Sequence, residues 1–202
     1  MLGGLLALIA GAGVFAFLRR MSSGVYAGPV SDHFDGTHFV GPYAVPSNGT
    51  TAFWRWQMTR DKAQWPAHLP NARADKPPPR VESGARVSVI GHASHLIQAG
   101  GLSILIDPVW SERCSPVSFA GPKRVNAPGI AFAALPPIDV VLVSHCHYDH
   151  LDVDTLSRLA AAHPARVVTP LGNDTIMKNH DAAIRAEPVS YTHLTLPTIY
   201  SV

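Results

Sequence analysis

Three histidines and one aspartate lie within six residues, at a point where a strand is predicted to end and a helix to begin. The stretch 144–152 reads SHCHYDHLD. It follows the β-branched apolar run Asp139–Val143 and precedes a helical spacing of apolar residues over Asp154–Ala162. Loops at strand ends carry the working residues of many α/β proteins. The pattern therefore favours folds in which a buried strand, a functional loop and a helix follow one another.

The residue types in this loop are those that bind a metal. Imidazole and carboxylate groups are good ligands for Zn²⁺. His145 and His147 are one residue apart, so in an extended segment both side chains point the same way and can bind one ion. Asp149 and His150 project differently as the chain turns, which predicts a second ion close enough for both to activate one water molecule. The alternative is a histidine-rich turn without metal, although unpaired polar groups at a buried strand end are costly.

Short apolar runs separated by turn signals predict a mixed α/β (α+β) fold. Gly100-Gly101 is typical of a tight hairpin turn, and Asp152 is well placed as a helix N-cap. The order is hairpin strands, then strand, helix, strand, helix, which favours a mixed sandwich over a doubly wound nucleotide-binding fold. No glycine-rich phosphate-binding motif is present. The other predicted elements are strands at Val87–Ile90, His95–Gln98, Ser103–Ile106 and Val167–Thr169, and a helix at Asn173–Ala186.

Composition excludes several classes of protein. The 16 Lys and Arg against 14 Asp and Glu give a net charge of +2, too balanced for a nucleic-acid binder that relies on a basic surface. Two cysteines, Cys114 and Cys146, cannot form a disulfide scaffold or a four-cysteine zinc site. Cys146 should point away from the metal that its neighbouring histidines bind, so we interpret it as a packing residue. Tyr148 is interpreted in the same way.

The first 18 residues contain no charged side chain and end at Arg19 and Arg20. An 18-residue helix rises about 27 Å, close to the thickness of the hydrocarbon core of a bilayer. We expect residues 1–20 to be a membrane anchor, with the rest of the chain cytoplasmic by the positive-inside rule. A signal peptide that exports the chain and a buried core helix are the alternatives.

Two further segments differ in composition from the central region. Residues 21–84 are rich in Pro, Gly and aromatic residues, including Trp54, Trp56 and Trp65. They are predicted to wrap the surface with their aromatics packed on the main domain, or to lie at a lipid interface. Residues 189–202 resemble translated adapter sequence and are predicted to be a non-native tail.

The motif in the loop supports a family resemblance. The segment His145–His150 matches the HxHxDH motif of the metallo-β-lactamase superfamily. Further segments resemble the branch that contains N-acyl-phosphatidylethanolamine-hydrolysing phospholipase D, and the resemblance covers about residues 31–188. Those segments are Ser31–Thr37, Ile90–Ser94, Ile104–Pro108, Ser115–Pro116, Gly121–Arg124 and Leu135–Asp139 followed by Ser144.

The resemblance implies an αββα sandwich with two zinc ions at one edge. His145 and His147 would bind the first ion; Asp149 and His150 would bind the second, and Asp149 is also the candidate catalytic residue. Asp107 corresponds to the strand-end aspartate that supports the metal loop in the family, and a simple turn carboxylate before Pro108 is the alternative. His92 is a candidate pocket residue, with a structural role as the alternative.

The chain also departs from the family pattern. The family uses a further histidine, a bridging aspartate and a final histidine downstream, and neither His163 nor His180 lies in a matching motif. We therefore expect residues 85–188 to be the N-terminal half of the domain, and the 202-residue chain to be inactive or very weak. The complete enzyme would hydrolyse a phosphodiester in an N-acyl-phosphatidylethanolamine-like lipid at a membrane. The alternatives are a hydrolase of a soluble lactone or phosphoester, and a non-catalytic protein.

Overall fold

The structure is a computed structural model that describes residues 28–32, 34–40, 49–61, 63–70 and 74–189. The predicted anchor at residues 1–20 and the predicted tail, apart from Val189, lie outside the described residues. Within the described ranges, no helix combines the length and apolar character that a membrane crossing requires.

Six strands form one mixed sheet in the order β1-β2-β3-β4-β5-β6. The first three strands pair antiparallel, and the last three each pair parallel with the strand before them. The mixed α/β class is as predicted. The strands are β1 Ala85–Gly91, β2 Ser94–Ala99, β3 Leu102–Ile106, β4 Val140–Leu142, β5 Arg166–Pro170 and β6 Ala186–Val189.

Within the part of the chain that the structure describes, three α-helices and one short 3₁₀ helix accompany the sheet. The helix α1 spans Gly49–Thr59, α2 spans Val153–Ala162, α3 spans Asn173–His180, and the 3₁₀ helix spans Phe132–Ala134. The order β4-α2-β5-α3-β6 gives two strand–helix–strand units with parallel strands. These units confirm the predicted strand–helix alternation after the hairpin.

The local signals explain most of these elements. Gly100 and Gly101 have φ values of 55° and 77°, the positive angles that a two-residue hairpin turn requires. Asp152 caps α2, because its carboxylate accepts a hydrogen bond from the Thr155 N–H. The predictions of the β1–β2–β3 strands, the turn and the α2 cap are confirmed.

One predicted element is wrong in extent. The helix predicted over Asn173–Ala186 ends at His180, and Ala186 begins β6. Asp181 is extended, with φ −150°, and its carboxylate accepts a hydrogen bond from the Ala183 N–H at 2.9 Å. This local turn directs Ile184 into the core, where it is 1% exposed.

The core lies on the face of the sheet that packs against α2 and α3. Leu96, Leu105 and Val141 of the central strands are fully buried there, with Leu156 of α2 and Met177 of α3. The opposite face of the first strands is more open, because alternate strand residues point to opposite sides.

The segment 21–84 contains a feature that its composition did not predict, the helix α1. Trp54, Trp56 and Trp65 are each more than half exposed, which contradicts the predicted packing of these aromatics on the main domain. The Arg60 guanidinium lies 4.6 Å from the centre of the Trp56 ring. Their placement at a lipid interface stays a prediction.

Candidate metal centre

The candidate centre forms where four chain segments meet at one edge of the sheet. The loop 144–152 follows β4, and Asp107 follows the neighbouring parallel strand β3. His92 lies in the turn between β1 and β2, and β2 pairs antiparallel with β3, so this turn reaches the same edge. The sheet therefore gathers residues that are more than 50 positions apart in the chain.

Asp107 organises the start of the loop 144–152, which we call the metal loop. Its Oδ1 accepts a hydrogen bond from the Ser144 N–H at 2.7 Å, and its Oδ2 accepts one from the Ser144 hydroxyl at 2.7 Å. Oδ2 also lies 2.8 Å from Nδ1 of His150. Asp107 is buried and has φ 42°, a left-handed conformation that aspartate tolerates better than most residues. These contacts favour a supporting carboxylate over a simple turn residue, and its role toward a metal stays a prediction.

The three histidines of the loop contact one another. Nε2 of His145 lies 3.0 Å from Nδ1 of His147, and the ring centres of His145 and His150 are 4.0 Å apart. Burial lowers the pKa of His145, and the neighbouring His150 and His147 lower it further. The neutral imidazole favoured by these effects is the form that binds a metal.

His92, Asp149 and His150 form the group whose ligand atoms converge. Their nitrogen and oxygen atoms all lie within 4.8 Å of one another. Oδ2 of Asp149 lies 2.8 Å from Nε2 of His92 and 3.6 Å from Nε2 of His150. Burial alone would raise the pKa of Asp149, but hydrogen bonds from its own backbone N–H and from His92, with the charges of both histidines, lower it overall. The group thus offers two imidazoles and an ionised carboxylate.

All five sequence-predicted site residues lie at this edge. We call Asp107 and His150 the base of the centre, because both side chains are largely buried. We call His92, His147 and Asp149 the rim, because these side chains are more accessible. His145 lies between the base and the rim, because it contacts His150 of the base and His147 of the rim. The described residues do not bring His145 and His147 into the converging group of three, so their assignment as ligands to a first ion stays a prediction.

The structure adds to or corrects the sequence-based interpretation of three residues in this region. His92 contacts Asp149 directly, and only the strand pairing that places its turn at this edge shows it. Cys146 is exposed, which corrects its interpretation as a packing residue. Tyr148 is half-buried and lines a cavity beside the rim.

Asp152 fixes the loop from its other end. Its buried carboxylate caps α2 and also accepts hydrogen bonds from the backbone N–H groups of Trp110 and Ser111, at 3.1 and 2.9 Å. The Ser111 hydroxyl adds a further hydrogen bond at 2.8 Å. The segment after Asp107 and the helix after the metal loop are thereby joined through one side chain.

Comparison with known families supports the resemblance seen in the motif. Residues 103–197 match the model of the Beta-lactamase superfamily domain. The matched region begins in β3 and includes Asp107 and the whole metal loop. This part of the chain therefore resembles a β-lactamase superfamily domain, and the predicted family resemblance is confirmed.

Curated relatives point in the same direction. N-acyl-phosphatidylethanolamine-hydrolyzing phospholipase D 1 of Caenorhabditis elegans is 43% identical over 99 residues, which is 48% of this chain and 28% of the relative. An uncharacterized protein of Mycobacterium tuberculosis is 42% identical over 119 residues, 58% of this chain and 30% of that protein. A UPF0173 metal-dependent hydrolase of Aeropyrum pernix is 33% identical over 84 residues, 42% of this chain and 28% of that protein. The chain spans about 30% of the length of such relatives.

Among solved structures, CmlA, a diiron β-hydroxylase from Streptomyces venezuelae, is similar over 51% of this chain and 20% of its own. The identity is 27% and the TM-score is 0.35. That TM-score is too low to support a conclusion on fold or function.

Proposed function

We propose that this chain belongs to a zinc-dependent phosphodiesterase of the phospholipase D type, which acts on N-acyl-phosphatidylethanolamine-like lipids. The observation that carries the proposal is the convergence of His92, Asp149 and His150 at a sheet edge where Asp107 holds the loop with the HxHxDH motif. Relatives named as hydrolases of this lipid in Caenorhabditis elegans and Saccharomyces cerevisiae support the substrate class. The activity is proposed for a protein with the length of these relatives, and the 202-residue chain alone is expected to be inactive or very weak.

The donor set fits zinc. The centre offers imidazole nitrogens and carboxylate oxygens, the ligands that Zn²⁺ takes in hydrolytic enzymes. When bound, zinc supplies a Lewis acid and an activated water for hydrolysis. His145 and His147 would hold one ion, and Asp149 and His150 a second. Asp107, through its contact with His150 Nδ1, leaves Nε2 of that ring available to the metal.

The chain's own residues prepare this site before any ligand arrives. Asp107 fixes the orientation of His150, and His92 orients the carboxylate of Asp149. The site opens onto a cavity of about 970 Å³, which gives room for a lipid headgroup beside the reacting bond. An anchor at residues 1–20 would place this cavity near the cytoplasmic surface of a membrane, where the substrate lies.

The first test is the zinc content of the 202-residue chain after dialysis against zinc and removal of free ions. We expect bound zinc in the wild type and a clear loss in the double variant H145A/H147A, measured by inductively coupled plasma mass spectrometry. The matched control is H68A, which removes an exposed histidine remote in sequence from the loop. A wild type that retains no zinc, or a double variant that retains all of it, contradicts the proposal.

The second test addresses the substrate. A protein with the length of the relatives should release phosphatidic acid-type product from N-acyl-phosphatidylethanolamine vesicles and leave a simple lactone unchanged. Turnover of the lactone alone would instead assign a different substrate class to the same fold.

A further inference from the structure

The cavity beside the candidate centre combines the rim with apolar walls and two consecutive basic side chains, Lys123 and Arg124. His92 and Asp149 line it at the centre, Val109 and Val125 line it elsewhere, and Arg124 lines it as well. A ligand in this cavity would meet metal-binding groups, apolar surface and a guanidinium at once. That combination suits an amphipathic anion.

Contacts with two segments, residues 109–112 and the end of β1, hold Arg124 in place. Its backbone N–H donates to the Glu112 carbonyl at 2.7 Å, and its Nη2 donates to the Val109 carbonyl at 2.7 Å. Nη1 lies only 3.0 Å from the position that a Cβ at Gly91 would take, and Gly91 has φ 151°. A side chain at position 91 would therefore crowd the guanidinium, and glycine leaves room for it at the end of β1.

The charge of Arg124 has no carboxylate partner within 4.0 Å among the described residues. Its Nε is buried and makes no hydrogen bond within the same part of the chain. Burial lowers the pKa of Arg124, although the nearby Cys114 and Asp152 oppose this effect. A partly buried cation without an ionic partner is costly to keep, and an anion bound in the cavity would offset this cost.

Lys123, the preceding residue, shows the contrast. Its Nζ pairs with Oε1 of Glu112 at 2.7 Å, and both side chains are more than half exposed. Both residues line the cavity, but Lys123 is paired with Glu112, whereas Arg124 has no carboxylate within 4.0 Å among the described residues.

We propose that Arg124 binds the phosphate group of the substrate in this cavity and so selects phosphodiesters over neutral esters. A guanidinium presents several N–H donors in a plane, a geometry that matches two phosphate oxygens. The apolar walls at Val109 and Val125 would take the hydrocarbon part of the same molecule. The inference rests on the proposed function, because it names the group that recognises the anion at the proposed catalytic site.

The test uses the 202-residue chain with metal removed by a chelator, so that neither hydrolysis nor metal–phosphate contact contributes. The probes are bis(4-nitrophenyl) phosphate and the neutral bis(4-nitrophenyl)methane, and binding is measured by nuclear magnetic resonance titration. We expect R124Q to bind the phosphodiester roughly tenfold more weakly than the wild type. The matched variant K123Q removes the same charge from the neighbouring position and should bind it as the wild type does. The neutral probe should bind all three proteins equally.

Three results would overturn the inference: R124Q that binds the phosphodiester like the wild type, K123Q that weakens it as much as R124Q, or R124Q that loses the neutral probe equally. Should R124Q fail to melt cooperatively, the side-chain guanidinium resonances of Arg124 in the wild type decide the matter. They should shift as the phosphodiester is added, and unshifted resonances would contradict the proposal. Because this binding test uses metal-free protein, a failure of zinc uptake would contradict the proposed function but would not change the interpretation of phosphodiester binding by Arg124.

Discussion

Asp107 and Asp149 are carboxylates that both contact His150, yet their side chains are 5% and 39% exposed. Asp107, in the base, accepts hydrogen bonds from a backbone amide and a hydroxyl. Asp149, in the rim, faces His92 and the cavity. The comparison separates two tasks: the base carries the local fold of the loop, and the rim presents groups that the fold does not need for itself. Predictions that distinguish stability from ligand binding follow from this difference.

The largest expected effect comes from the base. The change D107A removes the shared acceptor of the Ser144 N–H, the Ser144 hydroxyl and His150, all of which contact the buried carboxylate in a partly buried place. We expect a loss of about 3 kcal/mol in the free energy of unfolding, measured by chemical denaturation of the metal-free protein. A loss below about 1 kcal/mol would show that the carboxylate is not required for the local fold.

The matched change in the rim is D149N. The side chain keeps its size and is partly exposed, so we expect the free energy of unfolding of the metal-free protein to change by less than about 1 kcal/mol. Zinc uptake should fall sharply, because an amide replaces a charged ligand. Equal destabilisation by D107A and D149N would remove the distinction between base and rim.

The modification rates of the two cysteines compare the accessibility of the metal loop with that of the cavity wall. Cys146 is exposed in the metal loop, whereas Cys114 lines the cavity and is half-buried. Burial raises the pKa of the Cys114 thiol, the Asp149 charge raises it further, and Arg124 opposes both. We expect a maleimide to modify Cys146 roughly tenfold faster than Cys114, as followed by mass spectrometry of wild type and C146S. Equal rates would mean that the cavity wall is as open as the loop.

The smallest expected effect concerns His163, which lies outside both the base and the rim. It serves as a reference for the effects of changes in those two regions. Burial lowers the pKa of His163, whose Nδ1 accepts a hydrogen bond from the Ile138 N–H at 3.4 Å. The folded state thus favours the neutral ring, so its stabilising contribution is present above the unfolded pKa and is lost as pH falls through the folded pKa.

Acidification from about pH 7.5 to about pH 5.5 should therefore lower the melting temperature of the metal-free wild type more than that of H163Q. Subtracting the two responses cancels the histidines of the metal loop, which both proteins share. A larger response in H163Q would contradict the sign of this pKa shift.

The sequence predicted those elements whose signals are local. The strands of the hairpin follow short apolar runs, and Asp152 caps the start of α2 because its carboxylate satisfies a free amide. The end of α3 was not predictable in this way. Ala182, Ala183 and Ile184 continue a helical spacing, and the burial of Ile184 against the rest of the core overrides it.

The spacing of residues predicted only the contiguous part of the candidate site, and the family resemblance added Asp107 and the candidate pocket residue His92. The candidate ligands of the loop can be recognised from the sequence, because they lie only one or two positions apart. The contact of His92 with Asp149 depends on the pairing of β1 with β2 and β2 with β3. Such pairing is set by long-range packing, so no local pattern shows that His92 contacts Asp149. The position of Arg124 in the cavity also depends on long-range contacts, so the sequence alone does not predict it.

Asp152 has a further consequence for how this region moves. The backbone N–H groups of Trp110, Ser111 and Thr155 all donate to its carboxylate, although they belong to two separate segments. A rotation of this side chain would break these three bonds together, and the Trp110 N–H, which also donates to Oγ1 of Thr155 at 3.0 Å, links the same two segments. Amide hydrogen exchange at these positions should therefore proceed through one shared opening event. The start of α2 and the segment after β3 would then behave as one cooperative unit.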